Sequence, residues 1–408
     1  MTIHSWKKRT ALFLGGQAVS LFGSSLVQFA MIWFVALKTS SGFWVSMLTV
    51  CAYLPQFLVS FFAGVWADRY SRKLLIIISD ASIAVTTLAL ALALPYVKSD
   101  TVLLTAILVV SAMRSVGAGI QTPAVGALLP QLVPQEQLMR VNGINSTIQS
   151  IVQFAAPAAA GALLTISTLN LTLFIDVATA AVGIGILVCL VVPKQPNQQQ
   201  EKPSVFADLV SGIRYAIGDG FLWKLFALFG AFIFLCVPAG FLASLFVSRT
   251  YGNEYWYLTV VELVGFAGMT AGGIIVGAWG GFKNRMKTLL VGMAVFGALA
   301  IGMGAVNNFY IYLGLMLLYG IALTFVQTAT TTLIQERSDP QMLGRMFGFF
   351  GAIFSGFLPI GMVVFGPLAD IVSMQLLMIL SGVLLLLITF ICLITKLSQS
   401  VDTKMSEE

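Results

Sequence analysis

The sequence predicts an all-α membrane protein with twelve transmembrane helices in two six-helix bundles. Of its 408 residues, 58% are hydrophobic and 9% are charged, whereas soluble domains are roughly 45–50% apolar and about 25% charged. The apolar residues form twelve long segments, which exceed the ~9–11 residues of a membrane-spanning strand and suit helices of about 20 residues. One polar stretch divides these segments into two sets of six.

The first predicted span follows a basic N-terminus of the kind that begins a signal peptide. Its apolar run continues to about Leu37, which is longer than the ~7–15 apolar residues of a cleaved signal sequence, so we interpret it as a transmembrane helix. In chain order the predicted spans are 11–37, 44–67, 74–95, 102–126, 143–166, 170–192, 221–247, 256–279, 288–306, 309–333, 344–369 and 374–396.

The longest polar stretch, PKQPNQQQEKPS, lies between the sixth and seventh spans. Its prolines and glutamines are typical of a linker and disfavour a continuous helix. We therefore expect an N-terminal six-helix bundle over 1–192, a cytoplasmic linker over 193–220 and a C-terminal six-helix bundle over 221–408.

The distribution of lysine and arginine predicts the orientation of the chain. With the N-terminus inside, the cytoplasmic segments hold 18 of these residues and the external loops hold three, Lys38, Lys98 and Arg249. Cytoplasmic loops carry the excess of basic residues in membrane proteins. We therefore expect both termini in the cytoplasm. The net charge of +6 does not indicate a nucleic-acid partner, because no basic domain is present.

The residue inventory argues against several classes of protein. The only histidine is His4, and the four cysteines lie in apolar stretches without CxxC spacing. A histidine-based metal site or a Ser-His-Asp triad is therefore excluded, and no metal or cofactor is expected. The sequence has no phosphate-binding GxxxxGK[ST] motif, so we do not expect ATP to drive transport within this chain. These absences disfavour an enzyme and favour a carrier that uses an ion gradient.

The two halves of the sequence resemble each other at matching positions. GVWADRYSRK, which follows the second span, has a counterpart in GAWGGFKNRM after the eighth span. Gly64, Trp66 and Arg72 thereby align with equivalents 213 positions later, namely Gly277, Trp279 and Arg285. Each half has six spans, so the repeat is parallel, as in transporters that bind substrate near the bilayer midplane between two bundles.

Several motifs resemble those of the major facilitator superfamily across the whole chain. GVWADRYSRK resembles its Gly-x-x-x-Asp-Arg-x-x-Arg-Lys motif, and RSVGAG, which begins at Arg114, resembles its span-four motif. AAPAAAGALL resembles the span-five motif of exporters through Pro157 and Gly161, although Ala156 and Ala160 stand where that motif has glycine. GQAVSL, RSVGAGIQTPA and LLPQLVPQEQL are similar to the bacterial macrolide-efflux branch of drug:proton antiporters. The resemblance implies the major facilitator fold, a substrate path between the halves and proton-driven export.

The charged stretch after the second span is expected to act as a cytoplasmic gate. Asp68 should lie at the C-terminal end of a helix, where the helix dipole disfavours an anion, so it requires a partner elsewhere. The pair Asp339-Pro340 resembles a helix start for the eleventh span, on the same side. We hypothesise that Asp68 holds the halves closed there, whereas the repeat, with Gly281 at this position, only anchors the chain. The motif residues are Gly64, Asp68, Arg69, Arg72 and Lys73.

Four charged residues fall inside the predicted spans and away from the basic residues at their cytoplasmic ends, namely Asp80, Arg114, Asp176 and Glu262. A charge at the bilayer centre costs at least about 2.5–3.5 kcal/mol, so we expect each of these residues to have a functional or structural role. They are candidates for proton coupling or substrate binding. The alternatives are a permanent ion pair between Arg114 and a carboxylate, a protonated acid held by hydrogen bonds, or, for Asp80, an ion pair near the cytoplasmic surface.

Uncharged polar residues form a second set of candidates. In the family that the chain resembles, spans one, four, seven and ten line the substrate path. Hydrogen bonds between packed helices are the alternative explanation for these residues. Gly268 and Gly272, and likewise Gly273 and Gly277, have the spacing of close helix packing. The pore-lining candidates are Gln17, Ser20, Ser24, Gln28, Gln121, Thr324, Gln327 and Thr331.

Together these features favour a proton-coupled exporter of amphipathic or lipophilic compounds, such as macrolide-like drugs, that works by alternating access. The expected partners are a small-molecule substrate, protons and the lipid bilayer, and we expect a monomer in a bacterial inner membrane. The alternative within the same fold is a metabolite, siderophore or lipid carrier, or an uncoupled facilitator. A membrane enzyme or receptor is disfavoured by the missing intramembrane histidine and cysteine pairs.

Overall fold

The computed structural model describes residues 3–192, 213–339 and 342–395, and every regular element in these ranges is helical. Contacts divide the chain into two units. The first unit contains Met1–Lys38 and Met47–Val205, and the second contains Thr39–Ser46 and Phe206–Glu408. The short connection after the first helix is thereby grouped with the second unit. The two units are described separately below.

The first unit is built from six long helices with two short 3₁₀ turns, Leu94–Tyr96 and Gln135–Gln137. The second helix starts in the connection that is grouped with the other unit. Serine at position 71 caps the third helix, since its side chain accepts a hydrogen bond from the Leu74 N–H. The helices are α1 Ile3–Thr39, α2 Gly42–Arg69, α3 Arg72–Ala93, α4 Asp100–Leu132, α5 Leu138–Ile166 and α6 Leu169–Cys189.

Seven helices of the second unit have both ends in the described residues, two of them short, and residues 213–218 are helical as well. Asp219, Asn284, Asn308 and Ser373 each cap a helix N-terminus through a side-chain oxygen. At the C-terminal end of the ninth helix, Gly280 adopts a left-handed φ of 74°. This conformation suits glycine. The helices are α7 Gly220–Cys236, α8 Ala243–Thr250, α9 Tyr255–Trp279, α10 Arg285–Ala305, α11 Phe309–Arg337, α12 Leu343–Ile371 and α13 Met374–Ile394.

The prediction of one continuous seventh span over 221–247 was wrong. The structure has α7, a turn over 237–242, and the short helix α8 in its place. Pro238 has no N–H and cannot continue the ladder. In the turn, the Leu242 N–H donates to the Val237 carbonyl at 3.0 Å, five residues back. The described residues therefore hold eleven helices long and apolar enough to cross a membrane, with the shorter α7 in addition.

The other predicted spans are present, but several helices are longer than the apolar segments that marked them. Among these, α4 reaches Leu132, where the prediction ended at 126, and α11 reaches Arg337, where it ended at 333. The predicted helix start at Asp339 was also wrong, because α12 begins at Leu343 after Met342. The Asp339 carboxylate instead accepts a hydrogen bond from the Tyr215 hydroxyl at 3.2 Å. Pro340 lies outside the described residues.

Small residues allow α1 and α6 to approach closely within the first unit. A Cβ on Gly16 would lie 3.6 Å from the Gly183 carbonyl oxygen, and one on Gly183 would lie 3.1 Å from that of Gly16. A Cβ on Gly23 would overlap the Thr179 hydroxyl. Membrane helices associate through such small-residue contacts, because lipid provides no hydrophobic drive between them. The close approach places the polar face of α1 directly beside α6.

The corresponding contact in the second unit joins α9 and α11. An added Cβ on Gly268 would overlap the Leu317 carbonyl oxygen, and one on Gly320 would overlap that of Gly265. The predicted packing role of Gly268 and Gly272 therefore fits the structure. The same prediction for Gly273 and Gly277 was wrong, because no atom lies within 4 Å of a Cβ at either position.

The two equivalent arginines of the sequence repeat make matching contacts in their own units. In the first unit, Arg72 donates to the Ala67 carbonyl at 3.0 Å and to the Ala127 carbonyl at 2.7 Å, which ties the end of α2 to α4. In the second unit, Arg285 donates to the Gly280 carbonyl at 2.6 Å and to Glu336 at 3.3 Å, which ties the end of α9 to α11. The repeat in sequence therefore has a counterpart in structure.

Candidate functional site

A buried ion pair lies at the centre of the first unit. Arg114 of α4 donates a charged hydrogen bond to the Asp176 carboxylate of α6, and the two side chains are 6% and 0% exposed. The same guanidinium nitrogen donates to the Thr87 hydroxyl, and the other nitrogen donates to the Ser24 carbonyl at 3.3 Å. Two of the four predicted intramembrane charges therefore compensate each other.

Polar residues on three helices complete the environment of Asp176. One carboxylate oxygen accepts a hydrogen bond from the Ser24 hydroxyl at 3.4 Å, and the other accepts one from the Thr87 hydroxyl at 3.1 Å. Thr87 was not predicted as a site residue. Its position on α3, seven residues after Asp80, places both on one helix face and could have indicated it. Both carboxylate oxygens of Asp176 are thereby bonded, which helps a buried charge pair to persist.

Asp80 has a different environment, although it is only 2% exposed. Its Oδ1 accepts hydrogen bonds from the Ser20 hydroxyl at 3.1 Å and from the Gln121 amide at 2.6 Å. Its Oδ2 is buried without any hydrogen-bond partner in the described part of the chain. No described lysine or arginine forms a salt bridge with it. Asp80 is thus a buried acid held by neutral donors.

The predicted polar face of α1 divides between these two sites. Ser20 contacts Asp80 and Ser24 contacts Asp176. Gln28 is half-buried, and its amide nitrogen has no partner among the described residues. Gln17 is also half-buried and makes no hydrogen bond within the described ranges. Ser20 and Ser24 therefore donate hydrogen bonds to the two carboxylates. The amides of Gln17 and Gln28 keep free hydrogen-bonding capacity.

A serine next to Arg114 bonds the backbone of the neighbouring helix beside its internal proline. The Ser115 hydroxyl donates to the Ala52 carbonyl at 2.7 Å and accepts the Gln56 N–H at 2.9 Å. These two backbone groups flank Pro55, which has no N–H to contribute to the α2 ladder. The hydroxyl therefore connects α4 with α2 at this position. Ser115 was not predicted from the sequence.

The second unit holds one carboxylate in the middle of its helices, Glu262 of α9. It is half-buried and makes neither a hydrogen bond nor an ion pair within the described residues. In the same unit, the hydroxyl of Tyr312 on α11 is buried without a partner among the described residues. Tyr312 packs in an aromatic cluster, with its ring centroid 5.4 Å from Phe246 and 5.3 Å from Tyr251. Burial raises the pKa of Tyr251 to about 12, and its hydroxyl donates to Val306.

The three candidates on α11 differ in their contacts. Thr324 donates to the Met269 carbonyl at 3.0 Å and so connects α11 with α9. Thr331 bonds only carbonyls of its own helix, at 3.1 and 2.9 Å. Gln327 is half-buried and has no hydrogen bond among the described residues. Gln327 is therefore the member of this set that keeps a polar group available to a ligand.

The predicted gate motif is described only in part. Lys73 donates to the carbonyls of Val188 and Leu190, each at 2.8 Å, and so caps the C-terminal end of α6. Gly64 and the side chains of Asp68 and Arg69 lie outside the described part of the structure. The proposed partner of Asp68 therefore remains a prediction. In α5, Pro157 and Gly161 are both buried inside the helix.

A charged cluster of the second unit was missed by the sequence reasoning. Asp370, at the end of α12, accepts the Gly42 N–H at 2.6 Å and the Phe43 N–H at 2.9 Å, which are the first donors of α2. It also accepts the Ser41 hydroxyl at 2.8 Å and forms a salt bridge with Arg249 at 2.6 Å. A carboxylate suits a helix N-terminus because free N–H groups and the helix dipole favour an anion there.

The model of the Major Facilitator Superfamily matches residues 13–360 of this sequence. The chain belongs to the major facilitator superfamily. It is therefore a multi-pass membrane transporter of small molecules and not an enzyme, and its helical architecture is the major facilitator fold.

Relatives of this major facilitator chain include transporters with stated activities. It is 28% identical to macrolide efflux protein A of Streptococcus pyogenes over 98% of this chain and 99% of the relative. It is 27% identical to macrolide efflux protein A of Enterococcus faecalis over 77% of this chain and 98% of the relative.

Solved structures show the same fold at lower identity. A mutant of the nucleoside transporter NupG has a TM-score of 0.72 at 15% identity and covers 96% of this chain and 100% of its own. A bacterial homologue of the iron transporter ferroportin, in an inward-facing state, has a TM-score of 0.72 at 16% identity, covering 96% of this chain and 98% of its own. This likeness concerns the fold alone.

Proposed function

We propose that this transporter is a proton-coupled exporter of amphipathic or lipophilic compounds, macrolides among them, in a bacterial cell membrane with both termini in the cytoplasm. The near full-length similarity to macrolide efflux proteins supports the direction and the substrate class. The environment of Asp80 supports the coupling. It is a buried carboxylate without a basic partner in the described residues, and an uncompensated charge in an apolar interior costs several kcal/mol.

A proton can supply the missing compensation at Asp80, and its exchange with water can then be linked to the transport cycle. Asp176 is less suited to this task, because Arg114 already compensates its charge. Glu262 resembles Asp80, since it also lacks a basic partner within the described residues. We therefore assign proton binding first to Asp80 and second to Glu262. Arg114 and Asp176 serve as a structural pair that holds α1, α3, α4 and α6 together.

The test is macrolide uptake into everted membrane vesicles from a host that lacks other exporters. The wild-type chain should accumulate the drug when a proton gradient is applied and lose it when a protonophore is added. Asp80→Asn should abolish gradient-driven uptake at normal expression, and Glu262→Gln should reduce it. Asp100→Asn is the matched control, because this side chain is 75% exposed and bonds Lys38 at the surface.

Normal gradient-driven uptake by both Asp80→Asn and Glu262→Gln would contradict the coupling assignment. A wild-type chain that moves no macrolide or other amphipathic drug in a broad panel would contradict the substrate class. A metabolite, siderophore or lipid carrier of the same fold would then become the better explanation. Uptake that is insensitive to the protonophore would instead indicate a facilitator.

A further inference from the structure

A deep apolar groove lies within the second unit, between α7, α12 and α13. Its volume is about 690 Å³, within the ~300–1,000 Å³ range of pockets that enclose small ligands. All of its lining residues are apolar, and the indole N–H of Trp223 is the only polar side-chain group among them. A ligand that is polar along its length would lose its hydrogen bonds there, so the groove suits a hydrocarbon chain.

Small residues line part of this groove, which we call its floor. They are Ala227 and Ala231 of α7 and Ala352 and Gly356 of α12. A Cβ at Gly356 would have no atom within 4 Å, so the floor is open there. Aromatic rings form the walls, and the lining includes Phe234 and Phe357 in addition to Trp223. Phe357 is 38% exposed and Trp223 is 46% exposed, so the described residues leave the groove open.

The length of the groove matches one leaflet of a bilayer. Its lining on α7 extends from Trp223 to Leu235, and its lining on α12 extends from Phe349 to Ile360. A helix segment of this length rises about 16–18 Å, which is close to half of the ~30 Å hydrocarbon core. The groove therefore starts near one membrane surface and ends near the midplane, which is the depth that a single acyl chain occupies.

A basic residue stands at the mouth of the groove. Lys224 is exposed, has no partner among the described residues and precedes Ala227 and Ala231 by three and seven positions. This spacing places it on the same face of α7, one turn closer to the helix start. Trp223 beside it is typical of the membrane interface. A lysine above an apolar groove of one-leaflet depth is complementary to a phosphate attached to an acyl chain.

We propose that the groove between α7 and α12 binds one acyl chain of a phospholipid, whose phosphate is held by Lys224. The lipid lies in the leaflet that contains the start of α7. Neither the family nor the relatives assign this groove, and the proposal does not depend on which substrate the protein exports.

The test uses phosphatidylglycerol with a photoactivatable group near the end of one acyl chain, in vesicles that contain the purified full-length protein. Adducts mapped by mass spectrometry should concentrate on the groove segments of α7 and α12. Gly356→Leu fills the floor and should lower this labelling more than about tenfold, because several buried methylenes are displaced. Lys224→Gln should lower it about fivefold, by loss of one basic contact to the headgroup.

Gly185→Leu is the matched control, because this glycine of α6 is exposed and has no atom within 4 Å of a Cβ. It should leave the labelling of α7 and α12 unchanged. Ala231→Leu is a second groove-filling variant in case Gly356→Leu does not fold. Labelling spread evenly over the lipid-facing helices, or unchanged in the filled variants, would overturn the proposal. Loss of labelling on addition of erythromycin, with no effect of Lys224→Gln, would also overturn it and identify a drug site.

Discussion

The buried pair of Arg114 and Asp176 makes each side chain dependent on the other. Both side chains are buried, and the hydroxyls of Ser24 and Thr87 complete the bonding of the carboxylate. Removing one partner of such a pair leaves an uncompensated charge and typically costs about 3–5 kcal/mol. Replacing both partners by apolar residues of similar size is often neutral. The pair therefore invites a double-mutant test of its structural role.

We expect Arg114→Met to lower the thermal stability of the purified protein strongly, because Asp176 then remains buried without a counter-charge. Arg114→Met combined with Asp176→Leu should recover most of the lost stability. The measurement is thermal unfolding in detergent, followed by tryptophan fluorescence. A double variant as unstable as Arg114→Met alone would contradict the compensation. Lys38→Met, which breaks the exposed pair with Asp100, is the control and should have little effect.

The contact between α9 and α11 shows how two glycines of the same helix can differ in whether glycine is required. Gly268 touches the backbone of α11, whereas Gly273, five residues later on the same helix, faces open space. A side chain at Gly268 must displace backbone atoms, which cannot move as freely as the end of a flexible side chain. Alanine also has a higher helix propensity than glycine, by about 0.8–1.0 kcal/mol.

Gly268→Ala should therefore destabilise the second unit, and Gly273→Ala should leave it unchanged or slightly more stable. The two variants make the same chemical change on one helix, so each serves as the control for the other. Thermal unfolding and the yield of folded protein after purification measure the difference. Equal stability of the two variants would show that α9 and α11 separate readily, contrary to the close packing described above.

For the molecule as a whole, the asymmetry of basic residues predicts which ends of the helices face the cytoplasm. The segments with 18 lysines and arginines should be inside and those with three should be outside. A green fluorescent protein fused after Glu408 should therefore fluoresce, and alkaline phosphatase at the same place should be inactive. The reverse pattern of the two fusions would contradict the orientation. Alkaline phosphatase inserted after Lys98, in a predicted external loop, should be active and is the matching control.

Sequence reasoning found the fold and the intramembrane charges because both depend on local composition. It could not find the partners, since Asp80 is bonded by Ser20 and Gln121, which are 60 and 41 residues away in the chain. The difference between a paired and an unpaired acid depends on helix packing that no local pattern encodes. The break at Pro238 could not be predicted, because a proline alone does not mark a break in a membrane helix. The helices α2, α5 and α12 all contain prolines and are continuous.

The turn that separates α7 from α8 has a further consequence for the exchange of backbone amides with deuterium. The Gly240 and Phe241 N–H groups donate four residues back, whereas the Leu242 N–H donates five residues back, so the regular ladder ends at this point. Leu242 is fully buried. Uptake of deuterium at these three amides therefore depends on water reaching the middle of the second unit. The rate of deuterium exchange at these amides therefore reports how often water reaches this interior.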